Sequence, residues 1–371
     1  MPKLFVASGI FHPEPGGPAT YLKSILPALQ AFGWDLRILT YGSDNSHVYS
    51  YPVTRIKRQR FLLRYARYAL AARRHIHWAD LVFAQTIDLP LRGQRRLPRV
   101  IKIVGDQAWE RCVRKGWIPP EIGIDAFQHF PGDARVRWQR QARTRQIRAM
   151  DAVIVPSKYL KQLVNSWGID PAKIHVIYNA LSPPTLPSQR RADIRAELGW
   201  PDQPTLISVA RLQSWKGIDH LIAAISAMPD IRLIVAGDGS DRCRLEELAQ
   251  PLRDRVIFTG QLTANAVHRL MVAADGLALY SGYEGLSHTL LESLHLGTPV
   301  LASEAGGNSE IVSHGVNGVL VPHVDLAALR RGIQQLMERR DEYAANCHHG
   351  LARFSFRRMA GETDALLKSL L

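Results

Sequence analysis

Residues 205–239 read TLISVARLQSWKGIDHLIAAISAMPDIRLIVAGDG. An apolar run ends in a basic turn, a helix-length apolar segment follows, and a second apolar run closes on Gly237 and Gly239. That order is strand, turn, helix, strand, the unit from which a parallel sheet with helical crossovers is built. The same alternation continues through RVIFTG, DGLALYS, TPVLASE and GVLVP, with SDRCRLEELAQ, ANAVHRLMVAA and SHTLLESLHL as the helices between them.

The first half of the chain repeats the pattern. LFVASGI at residues 4–10 runs into HPEPGGPATYLKSILPAL, where Pro-Gly-Gly-Pro breaks the strand and Pro18 opens a helix. DLRILTY, DLVFAQT, RVIKIVGD and DAVIVPS supply further strands. Between the two series lies LSPPTLPSQRRA (181–192), with three prolines and no apolar periodicity, which reads as a linker. The fold class is therefore α/β, with two Rossmann-like doubly wound domains expected to face each other across a cleft. The expected division is 1–180, with 355–371 packing back on it, and 190–354. Ligands of such sheets bind at the carboxyl ends of the strands.

With 371 residues, 46% of them apolar and 22% charged, the chain has the composition of a globular protein of about two domains. No stretch reaches the roughly 18 apolar residues of a membrane span, and the start lacks a signal peptide's cleavage region, so a cytoplasmic location is expected. Cys112, Cys243 and Cys347 have no paired spacing, and neither disulfides nor zinc are indicated. Residues 1–180 hold 28 Lys and Arg against 12 Asp and Glu, whereas residues 181–371 hold 19 against 21. The net charge of +14 thus comes entirely from the first half, which calls for an anionic partner there.

Four clusters in the second half bear chemistry. Arg211 and Lys216 follow a strand and suit a diphosphate, or are merely solvated. Gly237 and Gly239 either admit a flat ring or phosphate to the backbone or make a tight turn. In YEGLSHTLLESLHLGTP, Glu284 lies before a helix and Glu292 about two turns inside it, roughly 12 Å away at 1.5 Å per residue, too far for a carboxylate dyad. Two acids so spaced can grip hydroxyls at the ends of an elongated ligand, with the amides of Ser287, His288 and Thr289 receiving a phosphate between them. SEAGGNSEIV adds Gly306 and Gly307, with Asn308 or Ser309 as the expected N-cap.

Taken in order, ARLQSWKG, YEGLSHTLLE, GTPVLASEAGGNSEIV and HGVNGVLV, with the Gly16-Gly17 turn, VIYNA and the closing FSFRRMAGETDALLKSLL, resemble glycosyltransferase family 4, the retaining GT-B enzymes. The resemblance implies a nucleotide-diphosphate sugar held mainly by the C-terminal domain and an acceptor held mainly by the N-terminal one. It gives the ribose to Glu292, the diphosphate to Arg211 and Lys216, the transferring sugar to Glu284, and the phosphates also to the amides after Gly16 and Gly17. No Asp-x-Asp occurs, so cationic side chains rather than a metal are expected to hold the diphosphate, with no cofactor. Such enzymes often carry a His after an N-domain strand where this chain has Gly105; Asp106 is the nearest polar candidate, as a ligand contact or a helix cap. His12, Asn179-Ala180 and Ser287 are further departures. The expected reaction is sugar transfer to a hydroxyl of a glycan or lipid-linked glycan, with a sugar-nucleotide epimerase or hydrolase as the alternative.

The segment 55–80, RIKRQRFLLRYARYALAARRHIHWAD, places Lys57, Arg60, Arg64, Arg67 and Arg74 on one helical arc and Phe61, Tyr65, Tyr68, Ala72 and Ile76 opposite or beside it. That amphipathic pattern suits an anionic membrane surface, and it places the protein on the membrane's cytosolic face. The second basic run, ARVRWQRQARTRQIRAM, has arginines on every side and suits an acceptor phosphate or neighbouring carboxylates better than a flat surface. Nucleic acid is not expected as a partner, because no helix-turn-helix, zinc or RNA-recognition signature accompanies the charge.

Overall fold

The computed structural model describes residues 1–14, 16–43, 47–58, 60–86, 90, 97–119, 121–180 and 189–371, without the side chains of Phe61 and Leu62. The expected linker lies outside these up to residue 188, as do Pro15 of the glycine turn and the Phe61 side chain. The chain divides into two compact units, Met1–Tyr178 with Phe356–Leu371, and Asn179–Ser355.

In the first unit the strands are β1 (Lys3–Ala7), β2 (Asp35–Tyr41), β3 (Val53–Ile56), β4 (Leu81–Ala84), β5 (Arg99–Lys102), β6 (Ala152–Val155) and β7 (Ile174–Val176). Its helices are α1 (Gly17–Ala31), α2 (Phe61–Trp78), α3 (Gln107–Arg114), α4 (Ile124–His129), α5 (Ala134–Arg148) and α6 (Lys158–Ser166). The strands lie in the order β3-β2-β1-β4-β5-β6-β7, every pair parallel. Leu4, Phe5, Val6 and Ala7 have no exposed surface, and Ala152 to Val155 have almost none. Continuous apolar runs are what a sheet covered on both faces requires.

The second unit contains α7 (Arg191–Glu197), β8 (Thr205–Val209), α8 (Ile218–Ser226), β9 (Arg232–Ala236), α9 (Arg242–Ala249), β10 (Val256–Gly260) and α10 (Ala264–Ala273). It continues through β11 (Gly276–Leu279), α11 (His288–His295), β12 (Val300–Ser303), β13 (Gly318–Val321), α12 (Leu326–Glu338) and α13 (Arg340–Ala345). Its parallel sheet runs β10-β9-β8-β11-β12-β13. Leu206, Leu221, Ile225, Leu233, Val235 and Leu329 belong to its core.

The final helix, α14 (Phe356–Lys368), belongs to the first unit. Asp364 accepts a 2.7 Å hydrogen bond from the Trp34 indole, and Lys368 donates to the Phe32 carbonyl at the end of α1. No helix among the described residues is long and apolar enough to cross a membrane.

Two features depart from the sequence reading. The strands β3 and β7, the two edges of the first sheet, carry polar and charged residues and were not expected. The basic helix also starts late: Lys57 precedes α2 and Arg60 is only its N-cap. Tyr68, Ala72 and Ile76 are buried as expected, but Tyr65 is 40% exposed and Arg64 lies over the Tyr41 ring. The outer face carries Leu63, Leu70, Arg67 and Arg74 together, so it mixes leucine with arginine.

Candidate active site

In each sheet the strand order reverses once, between β1 and β4 and between β8 and β11. Loops leaving the carboxyl ends of the strands on either side of such a point splay apart and leave a crevice. In the second unit those two loops carry Lys216 and Glu284. The Lys216 Nζ lies 2.5 Å from a Glu284 oxygen, both side chains about 15% exposed. Residues 68 apart in sequence, which the motif reading assigned separately to diphosphate and sugar, are therefore one ion pair.

The main chain fixes that pair. Gly282 donates to the Trp215 carbonyl at 2.7 Å, and Gly307 donates to the Glu284 carbonyl at 2.8 Å. A Cβ on Gly306, whose φ is +66°, would stand 2.0 Å from the Glu284 carbonyl oxygen, and one on Gly217 would stand 2.1 Å from that of Tyr280. Gly237 is under the same constraint: its Cβ would meet the Ala210 oxygen at 1.9 Å. Its missing side chain thus admits the loop that begins at Ala210.

Arg211 lies beyond the end of β8, exposed and, among the described residues, without an ion pair or side-chain hydrogen bond. Ser287 caps α11 by accepting from the Leu290 amide at 3.3 Å, which leaves the first amides of that helix, near His288 and Thr289, facing out of its N-terminus. Glu292 is one turn inside this eight-residue helix, not two. Its carboxylate is half-buried without a partner among the described residues, and burial pushes its pKa up to about 7. Asn308 does not cap the following 3-10 turn; Gly307 holds that position, and the Asn308 amide donates back to the Ser303 carbonyl at 3.1 Å.

In the first unit Gly16 (φ +146°) precedes α1, and Gly17 and Pro18 form its first turn, which contains no acidic residue. His12 sits in the same loop, its Nδ1 3.0 Å from the Tyr49 hydroxyl and its Nε2 3.1 Å from Lys23. Asp106 is the clearest departure. It has no exposed surface; one oxygen accepts from the Ala108 and Trp109 amides, and the other accepts from Gln128 and Arg143. Every acceptor direction is used within the protein, so Asp106 is a helix cap in a buried ion pair and not a group offered to a reacting sugar. Arg143, over the Trp167 ring at 3.9 Å, was not singled out, nor was Lys102, buried 4.1 Å from the Tyr21 ring with its pKa pushed down to about 7.

Residues 190–349 match the family described as Glycosyl transferases group 1, and residues 15–183 match Glycosyltransferase Family 4. The chain belongs to these glycosyltransferases, and its fold is GT-B. Among relatives, an uncharacterized glycosyltransferase of Methanocaldococcus jannaschii is 34% identical over 199 residues, 50% of each chain. The matched stretch spans about half the length of such relatives. Among solved structures, sucrose-phosphate synthase from Thermosynechococcus elongatus aligns with a TM-score of 0.83 at 23% identity over 100% of this chain and 99% of that one. HepE of Anabaena, solved in complex with UDP-glucose, aligns with a TM-score of 0.77 at 23% identity over 99% and 100%.

Two outcomes follow. Asp106→Asn strips the charge facing buried Arg143 and should lower stability by about 3 kcal/mol while turnover per folded molecule is kept; denaturant unfolding beside an activity assay checks this, and lost turnover at unchanged stability restores Asp106 to the chemistry. Glu292 holds its proton more tightly folded than unfolded, so its contribution to stability falls as pH rises from about 4.5 to about 7 and stays unfavourable above. Glu292→Gln should therefore stabilise the protein by about 1–3 kcal/mol at pH 8 and not at pH 4, measured by melting at both.

Proposed function

We propose that the protein is a retaining glycosyltransferase that moves a sugar from a nucleotide-diphosphate sugar to a hydroxyl of a glycan or lipid-linked glycan. The observation that carries this reading is the Lys216–Glu284 pair at the strand-order reversal, with unpartnered Arg211 in the same β8–α8 connection. Breaking the bond from the anomeric carbon to the diphosphate leaves a cationic sugar and a more negative leaving group. Fixed cations lower that barrier because the charge they meet grows in the transition state.

In this scheme the diphosphate draws Lys216 from Glu284 and binds it together with Arg211 and the outward amides of α11. Glu284, released, accepts hydrogen bonds from hydroxyls of the transferring sugar. Glu292 receives the ribose hydroxyls. The acceptor oxygen attacks the face that the diphosphate leaves, and its proton passes to the departing phosphate oxygen. Side-chain cations supply the charge here, so no metal or other cofactor is invoked. The UDP-glucose held by HepE supports a nucleotide sugar as the donor class.

The acceptor, on this reading, engages the first unit at the cytosolic face of a membrane. Support for the membrane comes from α2, where Leu63 (47% exposed) and Leu70 (60% exposed) share the outer face with Arg67 and Arg74. Leucines entering the headgroup boundary with arginines on anionic lipid is the chemistry of an interfacial helix. Lys57 and Arg60, exposed just before the helix, extend the charge.

Lys216→Ala should cut nucleoside diphosphate release by about a thousandfold with the circular dichroism spectrum unchanged; undiminished release removes Lys216 from the mechanism. Product analysis in the same assay separates the alternatives, since an epimerase returns an altered nucleotide sugar and a hydrolase releases free sugar without acceptor. For the membrane, Leu70→Glu with Arg74→Glu should weaken sedimentation with phosphatidylglycerol vesicles by about thirtyfold or more, and unchanged sedimentation rejects α2 as the contact.

A further inference from the structure

The first unit holds a cavity of about 620 Å³ lined by Trp138, Arg140, Arg143, Arg145, Arg148 and Trp167, among others, and no carboxylate stands among the described residues that line it. The cavity runs along α5 towards the amino end of the first sheet. The helix α5 ends at Arg148, just ahead of Asp151, whose amide bonds to the Arg99 carbonyl at the start of β5. The helix α6 leaves the carboxyl end of β6 and ends at Ser166. Arg148 and Trp167 therefore mark the amino end of the sheet, while Arg143 and Gln128, which also line the cavity, reach Asp106.

The charge in the cavity is only partly answered by the protein. Arg143 is 5% exposed and pairs with Asp106, yet its Nε has no hydrogen-bond partner. Arg140 donates through a single nitrogen to the Phe127 and Gln128 carbonyls, and Arg148 through Nε to the Gly168 carbonyl at 3.3 Å. Arg145 is exposed and, among the described residues, makes no side-chain hydrogen bond or ion pair. Four guanidinium groups thus keep unused donors, while Trp138, 61% exposed, offers a flat apolar ring beside them. Guanidinium forks are matched to phosphate oxygens.

We propose that this cavity is a second, separate binding site for a ligand carrying at least two phosphate groups. From Arg140 to Arg148 the helix rises roughly 12 Å at 1.5 Å per residue, too far for one phosphate to meet all four arginines. The volume also exceeds that of a phosphate alone and accommodates a phosphorylated saccharide or a headgroup with its neighbours. A soluble phosphate ester and a lipid headgroup share this chemistry.

Calorimetric titration with inorganic pyrophosphate and sedimentation with phosphatidylglycerol vesicles distinguish these sources. Arg145→Gln touches no other group, and Arg145→Gln with Arg148→Gln removes two of the four forks. Lys216→Ala serves as the control, since it disables the site in the second unit. A soluble ligand is indicated when the Lys216→Ala protein binds pyrophosphate and the double variant on that background binds about tenfold more weakly or not at all. A headgroup is indicated when only vesicle binding falls by that amount in the double variant while the Leu70→Glu with Arg74→Glu protein retains the Arg145-dependent part. If neither pyrophosphate nor vesicle binding responds to the double variant, or to Arg145→Gln where the double variant unfolds, the cavity is not a phosphate site.

Discussion

Main chain meets main chain beyond the strands of the second unit, and that contact governs the rest of the site. Where carbonyl oxygens of Ala210, Tyr280 and Glu284 lie within about 2 Å of where a neighbouring Cβ would stand, no layer of side chains can intervene. The loops leaving β8, β9, β11 and β12 are consequently positioned by backbone geometry. Lys216 and Glu284 inherit that precision, because each extends from a loop whose peptide groups are bonded to the other loop or to the next. Pre-positioning of this kind is what makes fixed charges effective against a charge that develops during reaction.

Pairing and burial then set the electrostatics. Lys216 and Glu284, both largely sheltered from water, neutralise one another. A carboxylate left alone at that depth would raise the cost of bringing in an anion, and Glu292 would do the same if it were fully charged. Its pKa near 7 keeps it partly protonated at neutral pH, so it is a weaker source of repulsion while still able to accept from or donate to hydroxyls. Arg211 is left without an ion pair among the described residues.

The excess charge of the first unit has two destinations. Part of it is structural: Arg143 anchors Asp106, Arg37 lies 4.1 Å over the Trp78 ring, and Arg55 donates to the His12 carbonyl. These guanidinium groups hold loops and helix ends in place, and the charge of Arg143 is answered by Asp106. Two further groups of basic residues lie on the outer face of α2 and along α5. The α2 face mixes its arginines with exposed leucine, whereas the α5 arginines line a concavity.

What the amino-acid order disclosed follows the same division between local and distant causes. The inner strands were legible because both faces are buried and the runs are apolar throughout; β3 (VTRI) and β7 (IHV) were not, because an edge strand tolerates polar residues and brevity. The start of α2 was misplaced by charge periodicity that continues past the helix into a segment with no capping side chain. Arg211, Lys216, Glu284 and Glu292 stood out by motif, yet the contact between Lys216 and Glu284 spans 68 positions and exists only because strands far apart in order lie side by side. Asp106 shows the limit most sharply. Its neighbours permit either a ligand contact or a cap, and what decides is Arg143, 37 positions on and carried by a different helix. A buried guanidinium without a counter-charge is so unfavourable that the carboxylate beside it is committed, and a residue so committed has no lone pair left for a substrate.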